Sequence, residues 1–243
     1  MKKYGIIGRP LGHSFSKRYF EEKFQREGLV DCRFENYELQ EIGEVKQLLQ
    51  DPALVGFCIT IPYKKEILAF LDEATDAVKK MQACNCVRLS GGKLKGYNTD
   101  VIGFERSFSP QLRPEDKNAL ILGTGGAAAA ICYVLENLGI AYKFVSRNPT
   151  EGQLSYQDAK APDIIDSYPV IINCSPVGTY PKEDEAPDIA YDLLGEKHYL
   201  FDLVYNPSLT KFLAEGQSRG ARIQNGYPML EIQAEANWEN WNS

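Results

Sequence analysis

Short apolar runs alternate along the chain with stretches of helical period, a pattern that predicts βα units around a mainly parallel sheet. The first run, Tyr4 to Ile7, reads as a strand stopped by Gly8, Pro10 and Gly12. Ser16 to Glu27 then spaces Tyr19, Phe20 and Phe24 along one face of a helix. Arg33 to Tyr37 predicts a second strand, Ile42 to Leu49 a helix, and Leu54 to Ile59 a third strand that delivers Thr60, Pro62 and Lys64 to its carboxyl end. Open α/β sheets gather their ligands beyond such ends. From Cys86 to Tyr97 the order Val87, Leu89, a Gly91 and Gly92 turn, then Leu94 predicts a hairpin. Asn98, Thr99 and Asp100 follow it, with a helix starting near Val101.

The charged, proline-containing stretch Ser109 to Asn118 reads as a connector and a domain boundary. A second βα series starts beyond it, with strands at Ala119 to Leu122, Lys143 to Val145, Val170 to Asn173 and Leu200 to Leu203. A last helix, Pro228 to about Trp241, is expected to return to the first half. The fold class is therefore α/β in two domains.

Composition narrows the class without changing it. With 44% hydrophobic, 25% charged and 11% aromatic residues among 243, the chain has the make-up of a folded globular protein. The net charge of -6 gives no general basis for binding nucleic acid or an anionic membrane. No apolar run approaches the roughly 20 residues needed to cross a bilayer. The amino-terminal lysines run straight into Ile6 and Ile7 with no apolar signal segment, so a cytoplasmic location is expected. Six cysteines with no CxxC spacing, beside only two histidines, predict reduced thiols and no metal site. Cys58, Cys132 and Cys174 lie in apolar runs, where cysteine behaves as a small hydrophobe.

The sharpest local signal is the run Leu120 to Ala128, an apolar strand feeding a GxGxxA turn and the helix Ala129 to Leu138. In that context Gly123 permits a tight turn, Gly125 lets backbone approach a pyrophosphate, and the helix start offers free N–H groups to the anion. The plain alternative is a glycine turn that only joins strand to helix. After the next strand stand Ser146, Arg147 and Asn148, with no carboxylate to hold a ribose hydroxyl. Arg147, 24 residues after Gly123, favours the 2′-phosphate of NADP, its alternative being a solvated arginine.

The first half places Ser14, Ser16, Thr60, Lys64, Asn85, Asn98, Thr99 and Asp100 at turns and strand ends. Hydroxyls, amides and one amine suit a polyhydroxylated ligand that carries a carboxylate. Each residue also has a structural alternative: Ser14, Ser16 and Asp100 as helix caps, Asn85 as turn support. Lys64 opening a helix would oppose the helix dipole and calls for a compensating partner.

The order SxS, TxPxK, AxN, NTD, GxGGA, SR and NGxxMLxxQA, in matching spacing over nearly the whole chain, resembles the shikimate dehydrogenase family. The resemblance implies an N-terminal α/β substrate-binding and catalytic domain, residues 1–103 plus 226–243, and an NADP-binding Rossmann domain, residues 104–225. It implies that Ser14 and Ser16 bind the substrate carboxylate, that Thr60, Asn85 and Gln233 bind ring hydroxyls, that Tyr205 lines the site, and that Lys64 and Asp100 are the catalytic pair. For the cofactor it implies Gly123, Thr124, Gly125, Gly126 and Ala127 at the pyrophosphate, and Ser146 and Arg147 at the adenosine phosphate. Asn173 and Ser175 would stand near the cofactor, Leu203 and Gly226 at the nicotinamide, and Asp76 at a further cofactor-side position. The implied reaction interconverts 3-dehydroshikimate and shikimate with NADPH, in a monomer or homodimer whose partners are small molecules. Alternatives are a quinate or shikimate dehydrogenase with relaxed cofactor use, or a non-catalytic NADP-binding regulator. Two departures stand out. Thr150 and Glu151 occupy the place where the family often has a second arginine, and Cys86 and Cys174 bring thiols next to Asn85 and Asn173.

Overall fold

In the computed structural model, which describes residues 1–12 and 15–243, the apolar runs of the first hundred residues become strands whose alternate side chains enter opposite layers. Along this part run β1 (Lys2–Gly8), α1 (Phe15–Arg26), β2 (Cys32–Glu38), α2 (Val45–Leu48), β3 (Leu54–Ile59), β4 (Glu73–Ala74), α3 (Asp76–Met81), β5 (Cys86–Ser90) and β6 (Lys93–Tyr97). The strands form one sheet in the order β2-β1-β3-β5-β6-β4. β1 lies parallel to β2 and β3, and the β5–β6 hairpin is antiparallel to β3. Tyr4, Ile6, Cys58 and Cys86 pack on one face with Phe20, Phe24 and Trp241. Ile7, Phe57, Ile59 and Val87 pack on the other with Val45, Ile67 and Val78. Burial on both faces is why β1 and β3 read as continuous apolar runs and not as alternating ones. Gly56 has a steric role here, since a Cβ at that position would collide with the Trp241 indole. Trp241 also donates its Nε1 hydrogen to the Val87 carbonyl at 3.1 Å.

The helix expected over Ile42 to Leu49 is instead a 3₁₀ turn, Ile42–Glu44, followed by the four residues of α2. The segment starts without a side-chain cap, includes Gly43 and buries only Val45, so little favours a longer helix.

The second series comprises α4 (Thr99–Phe108), β7 (Asn118–Leu122), α5 (Ala128–Asn137), β8 (Ala141–Ser146), β9 (Leu154–Ser155), α6 (Pro162–Ser167), β10 (Val170–Asn173), β11 (Tyr199–Asp202), α7 (Lys211–Gln217), β12 (Arg222–Gln224) and α8 (Tyr227–Asn242). Its sheet is parallel throughout, in the order β12-β11-β10-β7-β8-β9. The chain leaves β7 toward β8 and β9, then returns to the other side of β7 with β10, the doubly wound dinucleotide-binding arrangement. Leu120, Leu122, Val145, Ile171, Leu200 and Phe212 fill one layer. On the other, Phe104 stacks on Phe108 at 4.7 Å and Phe108 on Tyr199 at 5.3 Å. The connector before β7 is tied down by Asp116, fully buried, which accepts two hydrogen bonds from the Arg222 guanidinium at 2.8 and 3.0 Å.

The backbone divides into two units, Met1–Asp100 with Gln233–Ser243 and Val101–Ile232, so the divide falls within α4 and within α8. The six cysteines are free thiols; Cys132 and Cys174 are only half-buried and the other four are buried. Among the described residues no helix is long and apolar enough to cross a membrane, and no cluster of potential metal ligands occurs.

Candidate active site

In the first sheet the chain passes from β1 to β2 on one side and to β3 on the other, which opens a crevice at the carboxyl ends of β1 and β3. The two departing loops are laced together: Thr60 donates its N–H to the Ile7 carbonyl at 2.9 Å, and Arg9 to Ile61 at 3.0 Å. Gly8 allows this approach, because a Cβ there would strike the Thr60 methyl group. Beyond Thr60, Lys64 occupies the turn before the 3₁₀ segment Glu66–Phe70. Its carbonyl accepts from the Cys84 N–H at 2.8 Å. Asn85 donates to Tyr97 at 3.1 Å and accepts from Ile59 at 2.8 Å through its backbone. These bonds bring Lys64, Asn85 and the segment before α4 into one patch.

Lys64 does not open a helix as its sequence context predicted, since the turn leads only into a five-residue 3₁₀ segment; its partner is Asp100. Lys64 Nζ donates to Asp100 Oδ2 at 2.6 Å, with side chains 20% and 14% exposed. Asp100 lies in the first turn of α4, where the helix dipole favours its negative charge. Ser16, in the first turn of α1, reaches the Cys58 thiol. That thiol is pushed up from its ordinary pKa by burial and by the nearby Asp100 charge, while Lys64, Ser16 and Asn237 oppose the shift. Ser14 lies outside the described residues. Cys86, beside Asn85, is fully buried in the core, so its thiol does not face the site. Burial raises its pKa well above the ordinary value.

Beneath this patch runs a chain of neutral polar groups. Thr99 donates its N–H to Asn85 Oδ1 at 2.7 Å and its hydroxyl to Asn237 Oδ1 at 2.7 Å. Asn237 Nδ2 donates to Gln233 Oε1 at 3.2 Å. Asn85, Thr99, Gln233 and Asn237 are all buried. Asn237 was not expected from the sequence. Its only signal there is the spacing of four residues from Gln233 on a predicted helix.

In the second unit the strand ends are built from backbone. Gly123, at φ +93°, follows β7 and donates its N–H to the Val145 carbonyl at 2.9 Å. A Cβ on Gly123 would come within 3.2 Å of Ser175 Cβ, and one on Gly125 within 3.2 Å of the Cys174 carbonyl. Glycine is required at Gly123 by both its backbone conformation and this approach. The turn through Thr124, Gly126 and Ala127 leads into α5, whose Ala128 and Ala130 N–H groups donate to the Gly125 and Ala127 carbonyls at 3.0 and 3.1 Å. After β8, Ser146 Oγ accepts from the Asn148 N–H at 3.2 Å. Arg147 is exposed and forms no ion pair among the described residues.

The loop after β10 is held from below. Asn173 Oδ1 accepts from Ser175 N and Oγ at 3.0 and 2.6 Å, and Asn173 Nδ2 donates to Asp202 Oδ1 at 2.9 Å. Asp202 is fully buried and also accepts from Thr210 Oγ1 at 2.6 Å and Val204 N at 3.0 Å. Burial pushes its carboxyl up to about 6, against the pull of these three donors. Leu203 donates its N–H to the Asn173 carbonyl at 3.0 Å. Gly226 passes so close to Leu203 that a Cβ would collide with the Leu203 carbonyl. Asn173, Ser175, Leu203 and Gly226 thus form one contiguous edge, with half-buried Tyr205 two residues beyond Leu203. Asp76 belongs to the first unit, where it opens α3, fully exposed and 3.8 Å from Lys79. Asp202 was missed in the sequence because nothing there shows that its partners surround it.

A family profile described as the shikimate dehydrogenase substrate binding domain matches residues 6–87. The shikimate dehydrogenase (NADP(+)) of Caldicellulosiruptor saccharolyticus is 36% identical over 252 residues, covering 96% of this chain and 90% of that protein. A chorismate mutase/shikimate 5-dehydrogenase fusion protein from Clostridium acetobutylicum superposes with a TM-score of 0.86 at 32% identity, over 100% of this chain and 91% of that one. The shikimate 5-dehydrogenase of Thermus thermophilus, solved with NADP(H) and shikimate, gives a TM-score of 0.83 at 26% identity, over 99% of this chain and 93% of that one. With likeness of this extent in both sequence and fold, the chain belongs to the shikimate dehydrogenase family.

Proposed function

We propose that this protein catalyses the reversible NADPH-dependent reduction of 3-dehydroshikimate to shikimate, a step toward chorismate and the aromatic amino acids. The observation that carries the reading is the Lys64–Asp100 pair, 2.6 Å apart and partly exposed at the sheet crevice. Bound NADPH would supply the hydride, and the proton that the resulting alkoxide takes up would reach it by way of the Lys64–Asp100 pair. The Lys64 ammonium stabilises the negative charge that develops on the ketone oxygen, and Asp100 holds that ammonium in place. Ser14 and Ser16 hold the carboxylate, Thr60, Asn85 and Gln233 hold ring hydroxyls, and Tyr205 lines the site. In this reading residues 1–103 and 226–243 bind substrate and residues 104–225 bind NADP.

The residues present fit the dinucleotide. The close approach of Gly123 to Ser175 keeps side chains off the turn before α5, where backbone N–H groups meet a pyrophosphate. Arg147 stands without a carboxylate partner among the described residues at the end of β8, beside Ser146, and offers a donor fork to a 2′-phosphate. Asn173, Ser175, Leu203 and Gly226 line the nicotinamide end; Asp76 is assigned to the cofactor by the family resemblance alone. A second reading, relaxed use of NAD, is favoured by Thr150 and Glu151, both exposed, just beyond Arg147. A cytoplasmic location and a monomer or homodimer complete this reading.

The test compares initial rates with NADPH and NADH, each with 3-dehydroshikimate and with 3-dehydroquinate. The expected result is fastest turnover with NADPH and 3-dehydroshikimate. Tight NADP binding without turnover on either acid would instead point to a non-catalytic binding protein.

A further inference from the structure

Asp202 is a fully buried carboxylate that forms no ion pair among the described residues. Its partners are three neutral donors: Asn173 Nδ2 at 2.9 Å and the Val204 N–H at 3.0 Å on Oδ1, and the Thr210 hydroxyl at 2.6 Å on Oδ2. Packing alone does not call for such a group, because an apolar side chain would fill the place without desolvating a charge. The donors come from three stretches of chain: the end of β10, the loop after β11, and the cap of α7, where Thr210 Oγ1 also accepts from the Leu213 N–H at 3.3 Å. A carboxylate accepts at both of its oxygens, whereas an amide of the same shape accepts at one.

The Asn173 amide held by Asp202 has no polar atom left for a ligand. Its Oδ1 accepts from the Ser175 N–H at 3.0 Å and the Ser175 hydroxyl at 2.6 Å, and its Nδ2 donates to Asp202 and, at 3.4 Å, to the Val177 carbonyl. Both lone pairs and both hydrogens are thereby used. The setting rests on groups with one role each: a backbone N–H, which only donates, faces Oδ1, and a carbonyl, which only accepts, faces Nδ2. Asn173 therefore acts as a strut. Its own carbonyl accepts from the Leu203 N–H at 3.0 Å, so Asn173 ties residues 203–204 to the turn 173–175, with Asp202 Oδ1 bonded to both. Gly226 joins the same edge, donating its N–H to the Val204 carbonyl at 3.2 Å. The glycine turn has anchors of its own, with Gly123 N–H on the Val145 carbonyl and Ala128 N–H on the Gly125 carbonyl.

We propose that Asp202 is a positioning residue for hydride transfer: through Asn173 and Val204 it sets the edge of residues 173–175, 203–204 and 226 against which the nicotinamide half of the cofactor rests. The proposal rests on the reading that this edge receives the nicotinamide. The adenosine half, assigned to the glycine turn and Arg147, has separate supports and does not depend on Asp202.

The test compares the wild-type protein with Asp202→Asn, which keeps the shape and puts an NH2 where an accepting oxygen stood. Calorimetric titration reads the Kd of NADPH and of adenosine 2′,5′-bisphosphate, a fragment of NADPH without the nicotinamide half. Steady-state rates read kcat and the KM for 3-dehydroshikimate. The NADPH Kd is expected to rise about fivefold, the equivalent of one hydrogen bond. The kcat should fall about tenfold, because a displaced hydride donor costs rate even where the acid keeps its contacts. The fragment Kd and the acid KM should stay within about twofold. Should this variant fail to fold, Asp202→Ser, too short to reach Asn173, is expected to show the same pattern. Unchanged NADPH Kd and kcat beside a lowered Tm would make the carboxylate purely structural and overturn the proposal alone. Equal losses for NADPH and the fragment would overturn it as well, since they report a general loosening of the unit. A wild-type protein that binds no NADPH would overturn the reading of the edge and the proposal together.

Discussion

In the unit of residues 1–100 and 233–243, the groups gathered at the strand ends are side chains held by other side chains: Lys64 by Asp100, Asn85 by Thr99, Gln233 by Asn237. In the unit of residues 101–232 the corresponding ends are mostly backbone: Gly123 turning against Ser175, and Gly226 against Leu203. Beneath them lies one buried carboxylate, Asp202. In the proposed reading the difference follows from what each half binds. A hydroxylated acid is distinguished by donors and acceptors in fixed places, which only side chains supply. A pyrophosphate is bound by N–H groups, and the chain needs glycine there so that nothing stands in the way.

Substitutions should therefore fail in different ways in the two units. Lys64→Ala removes the group that meets the developing charge and is expected to lower kcat by roughly 10³-fold, with the acid KM changed much less. Steady-state rates of NADPH loss read both numbers. An unchanged kcat would remove Lys64 from the chemistry. Gly123→Ala adds a Cβ at φ +93° and 3.2 Å from Ser175 Cβ. It should weaken NADPH roughly tenfold through geometry alone, with a stability cost of about 1–2 kcal/mol. Calorimetric titration and thermal unfolding test the two parts. Arg147→Ala should weaken NADPH about fivefold and leave NADH untouched, which narrows the cofactor preference. Equal losses for both nucleotides would place Arg147 away from the 2′-phosphate.

The smallest expected effect concerns Asp202. Its carboxyl is raised to about 6 by burial, so the folded protein holds that proton more tightly than the unfolded chain does. The resulting stabilisation is complete below about pH 4 and is lost as the pH rises through about 6. The Tm of the protein measured against Asp202→Asn should thus fall by a few degrees between about pH 4 and pH 7, then stay level. A difference that is constant across this range would show that Asp202 titrates normally.

The strands that carry the site were readable because they are long apolar runs with glycine or proline stops. Leu54 to Ile59 is predicted and found as β3, and the GxGxxA turn stands between β7 and α5 as its spacing requires. The short strands β4, β9 and β12, of two or three residues each, were not readable, since so few residues carry no period. The chain also conceals its supports. Asn237 bonds to Thr99 across 138 positions and Asp202 to Asn173 across 29, and both sit inside segments whose apolar neighbours dominate the pattern. Lys64 gave a partial signal, because a cation in that position lacks a local partner, but the sequence alone leaves 36 residues between it and Asp100.

The central claim is that a hydride passes from a nicotinamide to a ring carbonyl on this protein. It is tested most directly by incubating the purified chain with 3-dehydroshikimate and NADPH carrying deuterium at both C4 positions, then examining the acid by mass spectrometry. The account predicts shikimate with one deuterium on the newly formed carbinol carbon, in step with oxidation of the nucleotide. Unlabelled shikimate, or nucleotide left unconsumed, would contradict it.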